Sequence, residues 1–235
     1  MADRRIPIEE ITRAVEADAL LERDIVRYAA PTLAGMKPAC MFSCPYTADP
    51  DDGVREFVPE VLLLGEFKQA LDGLGARLSP YGVDIEVIAW RDTSALLYVC
   101  RRELAAQAVS TGAAASRLAA LGYQIDDFEA CMDFLRGRIK EFDNLDRQCD
   151  FWDFPHEIGH FLGYPAIDVA AYTRNRGWNF TADGHWRVYG CQHRARGVLR
   201  HFAKLDECER SYWRLYTEGA RVEHLAELGN LACSG

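Results

Sequence analysis

Between positions 83 and 89, Val83, Ile85, Val87 and Ala89 alternate with Asp84, Glu86 and Ile88. That period of two predicts a half-buried β-strand. Arg91-Asp92-Thr93 predicts a tight turn, and Ala95-Leu96-Leu97-Tyr98-Val99-Cys100 predicts the returning strand, so 83–100 reads as a β-hairpin. A shorter apolar run at 39–43 lies between Pro38 and Pro45 and predicts a further, buried strand. Elsewhere the apolar positions follow a helical period. Residues 8, 11, 15, 20, 21, 25 and 26 predict two helices over 8–28, ended by Pro31, because proline disfavours the α conformation at the residue before it. Pro59 predicts the first turn of a helix reaching 78, with Leu63, Phe67, Leu71, Leu74 and Leu78 as its core stripe. Further helices are predicted at 102–108, 111–121, 126–142, 154–163, 166–175, 191–204 and 208–219, with a short strand at 186–189. The acidic 47–54 segment reads as a surface loop. The predicted class is α+β: a small mixed sheet with the hairpin, helices packed on it, and a mostly helical C-terminal half.

The chain has 235 residues, 49% hydrophobic and 27% charged, which suits one globular domain over 1–235. The best candidate for a subdomain joint is 149–154, dividing an α+β part (1–150) from a helical part (151–235). No apolar run approaches a membrane span, and the first residues carry no apolar stretch of the kind an export signal needs, so a cytoplasmic protein without a membrane is expected. A formal charge of −9 argues against general affinity for nucleic acid. The charge is uneven: Lys and Arg at 174, 176, 187, 194, 196, 200 and 204 face only Asp183 between 170 and 204. That segment is a solvated helix face or a place for an anionic group. The eight cysteines contain no Cys-x-x-Cys pair and read as small buried hydrophobes; Cys44, followed by Pro45, is the exception of interest.

The most chemical motif is His156-Glu157-Ile158-Gly159-His160. On a helix, positions i and i+4 share a face, so His156 and His160 could hold zinc while Glu157 acts on a bound water. The flanks oppose it. Pro155 puts His156 in a first turn, Pro165 stops the helix early, and position 166, where a longer zinc motif has its third ligand, is Ala166. The metal-free alternative has Asp153 capping the helix while Phe161 and Leu162 pack in the core.

Several segments together resemble an uncharacterised bacterial family, typical of anaerobes and labelled a domain of unknown function. They are Ala30-Pro31-Thr32-Leu33-Ala34-Gly35-Met36-Lys37, Phe42-Ser43-Cys44-Pro45, and Trp90-Arg91-Asp92 with Ala95-Leu96-Leu97-Tyr98-Val99. Phe154-Pro155-His156-Glu157-Ile158-Gly159 follows, then Phe161-Leu162-Gly163-Tyr164-Pro165, Asp168-Val169, Trp186-Arg187-Val188-Tyr189-Gly190 and Cys208. The resemblance spans about 20 to 225 and implies no established activity. Where this chain has His160 the family typically has an aliphatic residue. Where it has Asp183-Gly184-His185 the family often has cysteines, which His185 could replace.

These readings lead to one expectation with two alternatives. The expectation is an accessory protein that binds iron, haem or another anionic small ligand, through Lys37, Arg91, His156, Glu157 and Arg187. Cys44-Pro45 would serve as a thiolate site, with His156 or His160 as a second metal ligand. Haem or iron is the leading cofactor and zinc the runner-up; the partner is a small anionic ligand or another protein. The first alternative is a zinc hydrolase built on His156, Glu157 and His160, with Glu157 catalytic. The second is a helix-turn-helix or protein-interaction module, from the 162–172 turn and helix followed by Arg174 and Arg176, although few phosphate contacts are on offer.

Overall fold

The computed structural model describes residues 8–47, 62–145 and 153–233. A long helix, α1 (Ile8–Leu33), leads into strand β1 (Ala39–Thr47). The short β2 (Leu62–Leu63) runs directly into α2 (Leu64–Leu78), and a 3-10 turn at Ser79–Tyr81 leads to β3 (Val83–Trp90) and β4 (Ser94–Arg101). Helices α3 (Arg102–Ser110), α4 (Gly112–Ala120) and α5 (Phe128–Asn144) follow, then α6 (Ile158–Phe161), α7 (Ala166–Arg174), α8 (Gln192–Thr217) and α9 (Val222–Cys233). The fold is α+β.

The four strands are ordered β2-β1-β4-β3, with β1 parallel to β2 and antiparallel to β4, and β3 antiparallel to β4. The predicted hairpin and mixed sheet are therefore present. As an inner strand β4 is buried from Ala95 to Arg101, because helices cover both faces of the sheet. On one face Ala95, Leu97 and Val99 join Cys40, Cys44 and Val83 against Leu21 and Ile25 of α1, Phe67 and Leu74 of α2, and Leu225 of α9. On the other, Leu96, Tyr98 and Cys100 meet Val109, Leu118, Met132, Leu135 and Phe161. Each such side chain is worth about 1.5–3 kcal/mol when fully buried, so this double-sided strand is where the fold's apolar stability concentrates.

Ala89 does not continue the alternation of Val83, Ile85 and Val87. The β3–β4 register slips between Val87 and Ala89, and this β-bulge reverses the phase of the strand. Ala89 consequently packs with Ile88 on the α5 side. Trp90 swings to the other side, 5.9 Å from the Tyr46 ring and 6.0 Å from Phe67.

Helix boundaries show which local signals matter. The N-terminal segment is one helix rather than two, and Pro31 lies inside it. Termination is set by Gly35 at φ 70°: Gly35 N–H donates to Thr32 O (3.0 Å) and Met36 N–H to Pro31 O (2.8 Å), a Schellman cap. Proline only disfavours helix at its predecessor, whereas a left-handed residue ends it. Similarly, 191–204 and 208–219 form the single helix α8, since Leu205-Asp206-Glu207 contains no glycine or proline to break it. The predicted strand at 186–189 is only an isolated bridge between Ala182 and Val188. The predicted 154–163 helix shrinks to the four residues of α6, and Asp153 does not cap it: the capping position is Glu157. Helix α9 had no counterpart among the predicted elements. Pro59, most of the 47–54 loop and most of the 149–154 joint lie outside the described residues.

Arg101 ties the C-terminal helix to the first one. Its buried guanidinium donates to Thr32 O (3.1 Å), Leu33 O, Ala226 O (2.7 Å), Tyr81 O (2.8 Å) and Asn230 Oδ1. Two of these acceptors are last-turn carbonyls of α1, which no intrahelical N–H reaches. Gly229 lets α9 approach, since a Cβ there would lie 2.1 Å from Leu33 O. No helix among the described residues is long and apolar enough to cross a membrane.

Candidate functional site

The site is built where α6 and α7 meet the 176–190 segment. Gly163 ends α6 with the same device as Gly35: at φ 76° it donates to His160 O (3.0 Å) while Tyr164 N–H donates to Gly159 O (2.8 Å). A Cβ on Gly163 would strike Pro38 at 2.3 Å, so only glycine allows this corner to seat against the residues leading into β1. Tyr98 of β4 donates its hydroxyl to Phe161 O (2.9 Å), fixing α6 to the sheet.

Asp168 on α7 then gathers the stretch from Trp186 to Arg194. It is 2% exposed, and its carboxylate accepts both guanidinium nitrogens of Arg194 (2.8 and 2.7 Å), the indole N–H of Trp186 (3.0 Å) and the backbone N–H of Tyr189 (2.9 Å). A buried carboxylate is tolerable only when its oxygens are satisfied, and a bidentate arginine plus two N–H groups does this. The knot draws Trp186 into a stack on Tyr164, with ring centroids 5.2 Å apart.

Between these elements lies a cavity of about 390 Å³, within the range of small-molecule sites. Phe154, Tyr164, Tyr172 and Trp186 form aromatic walls, and Ile158, Leu162 and Val169 add apolar surface. His156 and Arg187 both approach Tyr172: the imidazole packs edge-on at 5.1 Å, and the guanidinium lies 5.9 Å from the same ring and 4.9 Å from Phe180. Burial holds His156 below the ordinary imidazole pKa, against the smaller opposing pull of Glu157. At neutral pH it is therefore an uncharged ring able to donate or accept. Arg187 donates to Gly177 O (2.9 Å) and stands 3.7 Å from Asp183.

The other predicted site residues divide. Glu157 does not line the cavity; Tyr123 donates to its Oε1 (3.1 Å) and Arg138 pairs with it at 2.6 Å. His160 is 3% exposed, and burial, with Arg117 adding to it, pushes its pKa down to about 4. The zinc motif is thus not assembled. His156 and Glu157 lie in the turn before a one-turn helix, and the donor atoms of His156, Glu157 and His160 do not gather within 4.8 Å of one another. A four-residue α6 is likewise too short to be the first helix of a helix-turn-helix.

Cys44 is buried in the sheet core, with its thiol pushed up to about 12 by burial, the opposite of a thiolate ligand. Lys37 borders the site rather than lining it: its ammonium lies 5.5 Å from the Tyr164 ring, and burial lowers its pKa. Arg91 is elsewhere, at the hairpin tip, with both Nε and a terminal nitrogen 3.1 Å from the Asp143 carboxylate. His185 is also outside the cavity, 2.9 Å from Asp206.

Asp168, Arg194 and Tyr172 are the residues that sequence reasoning missed as site builders. The signal for Asp168 was present, an acid flanked by Ile167, Val169, Ala170 and Ala171. Its partners lie 18 to 26 residues further on, at a spacing no local rule encodes.

The arrangement is that of an α+β protein with a helix-covered sheet and an aromatic cavity whose lining carries His156 and Arg187 together with the carboxylates of Asp168 and Asp183. The chain belongs to the family described as "Protein of unknown function (DUF3793)", whose model matches residues 25–226. No curated protein and no solved structure matches it.

Proposed function

We propose that the protein binds a small planar ligand bearing an anionic group, such as an aromatic carboxylate or phosphate, in the cavity between α6, α7 and the 176–190 segment. The observation that carries this reading is the convergence of His156 and Arg187 on Tyr172, within apolar and aromatic walls. The rings supply stacking surface, Arg187 matches the anion, and uncharged His156 completes a hydrogen bond or coordinates a ligand-borne metal such as haem iron. Arg194 neutralises Asp168, and Asp183, the other carboxylate of the lining, stands 3.7 Å from Arg187 and gives way to the ligand's anion. Binding is favoured over hydrolysis because the carboxylate expected to act as base, Glu157, is held by Arg138 and Tyr123. The shared packing of α1, α2 and α9 around one face of the sheet supports a single domain.

Calorimetric titration with benzoate-class carboxylates, matched aromatic amines and haemin tests the reading. Carboxylates or haemin should bind in preference to amines. Arg187→Ala should weaken that binding about tenfold or more, as expected for loss of a charge-assisted hydrogen bond. Equal binding of amines and carboxylates, or an unchanged affinity in both Arg187→Ala and His156→Ala, overturns it.

A further inference from the structure

We propose a divalent transition-metal site at His185, Asp206 and Glu209, beside the second hollow of the molecule. Among the described residues this is the group of His, Cys, Asp or Glu side chains whose donor atoms all lie within 4.8 Å of one another. Its construction is specific. Asp206 and Glu209 are three residues apart on α8 and so share a face. His185 is delivered by Gly184, where a Cβ would lie 2.4 Å from the Phe202 ring; without one, the loop backbone lies flat on Phe202. The imidazole then packs 5.4 Å from that ring, with Nε2 2.9 Å from Asp206 Oδ1 and Nδ1 3.8 Å from Glu209 Oε1. A hollow of about 440 Å³ lined by His185 and Asp206 gives an ion access and leaves room for water in its remaining positions.

One imidazole nitrogen and two carboxylate oxygens suit a borderline first-row ion such as Zn²⁺, Fe²⁺ or Co²⁺. The neighbouring cations are Lys37, which acts on Glu209, and Lys204, which with Lys37 and His185 holds the His201 pKa down after burial. They act through space, whereas the ligand atoms touch the ion. The same 183–187 loop supplies Asp183, Trp186 and Arg187 to the aromatic cavity. A bound ion would therefore fasten one wall of that cavity, a consequence that rests on the ligand-binding reading while the metal site itself does not.

Titrating chelator-treated full-length protein with Zn²⁺ by calorimetry, and with Co²⁺ by visible absorbance, tests the site directly. One equivalent should bind, and His185→Ala, Asp206→Asn and Glu209→Gln should each lower affinity by about tenfold or more, the scale on which metal shells respond to lost partners. His224→Ala, at an exposed imidazole 3.6 Å from Glu227, should change nothing. No binding at millimolar Zn²⁺, unchanged affinity in His185→Ala and Asp206→Asn, or an equal loss in His224→Ala overturns the proposal. None of these readouts uses the cavity ligand.

Discussion

Arg101 sits where α1, α9 and the Ser79–Tyr81 turn meet; Asp168 sits where α7 meets the 186–194 stretch. Both are charges buried to within a few per cent of exposure, and each gathers segments far apart in the chain. Among the described residues Arg101 does so through backbone carbonyls and an amide oxygen, at the edge of an extensive apolar core. Asp168 does so with a matched guanidinium, beside a small cluster of Val188, Ala195, Phe202 and Leu205. The first knot reinforces packing that regular elements already define. The second replaces packing: the 176–190 segment has almost no regular structure, and the cavity wall it forms depends on one carboxylate. One wall of the candidate site, with Ile158 and Leu162, belongs to the large core beneath the sheet, while the other, from the 183–187 stretch, adjoins only the small cluster, the kind of loop on which function is commonly carried.

The contrast is broken most severely by removing either charge. Asp168→Ala should cost about 3 kcal/mol or more, because the buried indole N–H of Trp186 and backbone N–H of Tyr189 lose their acceptor at about 1–3 kcal/mol each and half-buried Arg194 loses its bidentate partner. It should also expose Trp186, seen as a red-shifted indole emission. Arg101→Met should cost about 3 kcal/mol or more, since several carbonyls lose their donor at about 1–3 kcal/mol each, yet leave the Trp186 environment intact in the folded protein. Chemical denaturation measures the first effect and fluorescence separates the two. Identical spectra for both variants would show that the two regions are not independent.

Acid sharpens the comparison from within α6. The His160 pKa falls from 6.5 to about 4 on folding, so the native state prefers the neutral ring. Stability from this group is fully present above the unfolded pKa and is lost as pH falls from about 6.5 toward 4, since the unfolded chain takes up the proton first. At about 1.4 kcal/mol per unit, the loss approaches about 3 kcal/mol. Denaturation midpoints between pH 7 and 4 should decline less in His160→Leu than in the parent chain; parallel declines would remove His160 as their source.

The smallest effect is expected at Arg91. Its pair with Asp143 is exposed at the hairpin tip, and such pairs contribute about 0–1 kcal/mol. Arg91→Ala should therefore alter neither stability beyond that range nor ligand affinity.

How far the fold was legible depended on whether its signal was local. The hairpin was readable because Val83, Ile85 and Val87 face one core and β4 carries an unbroken apolar run, although the bulge that turns Trp90 over left no mark in the pattern. Gly35 and Gly163, not the prolines near them, end their helices, because a left-handed backbone terminates a helix whereas proline only discourages it. The site was half legible. Of the residues singled out in the sequence, His156 and Arg187 line one cavity, while Glu157, Cys44 and Arg91 belong to other neighbourhoods.

By itself the amino-acid order determined the α+β class, the elements with clear periodicity, the acidic net charge and the kinship with a family of unknown function. Each of these follows from spacing within a few residues or from composition. Only the tertiary structure decided that Asp168 finds Arg194, that Glu157 turns to Arg138, and that His185 reaches Asp206 and Glu209. Partners of a buried or clustered charge are chosen by which surfaces pack together, and that choice depends on contacts across the whole chain rather than on any window along it.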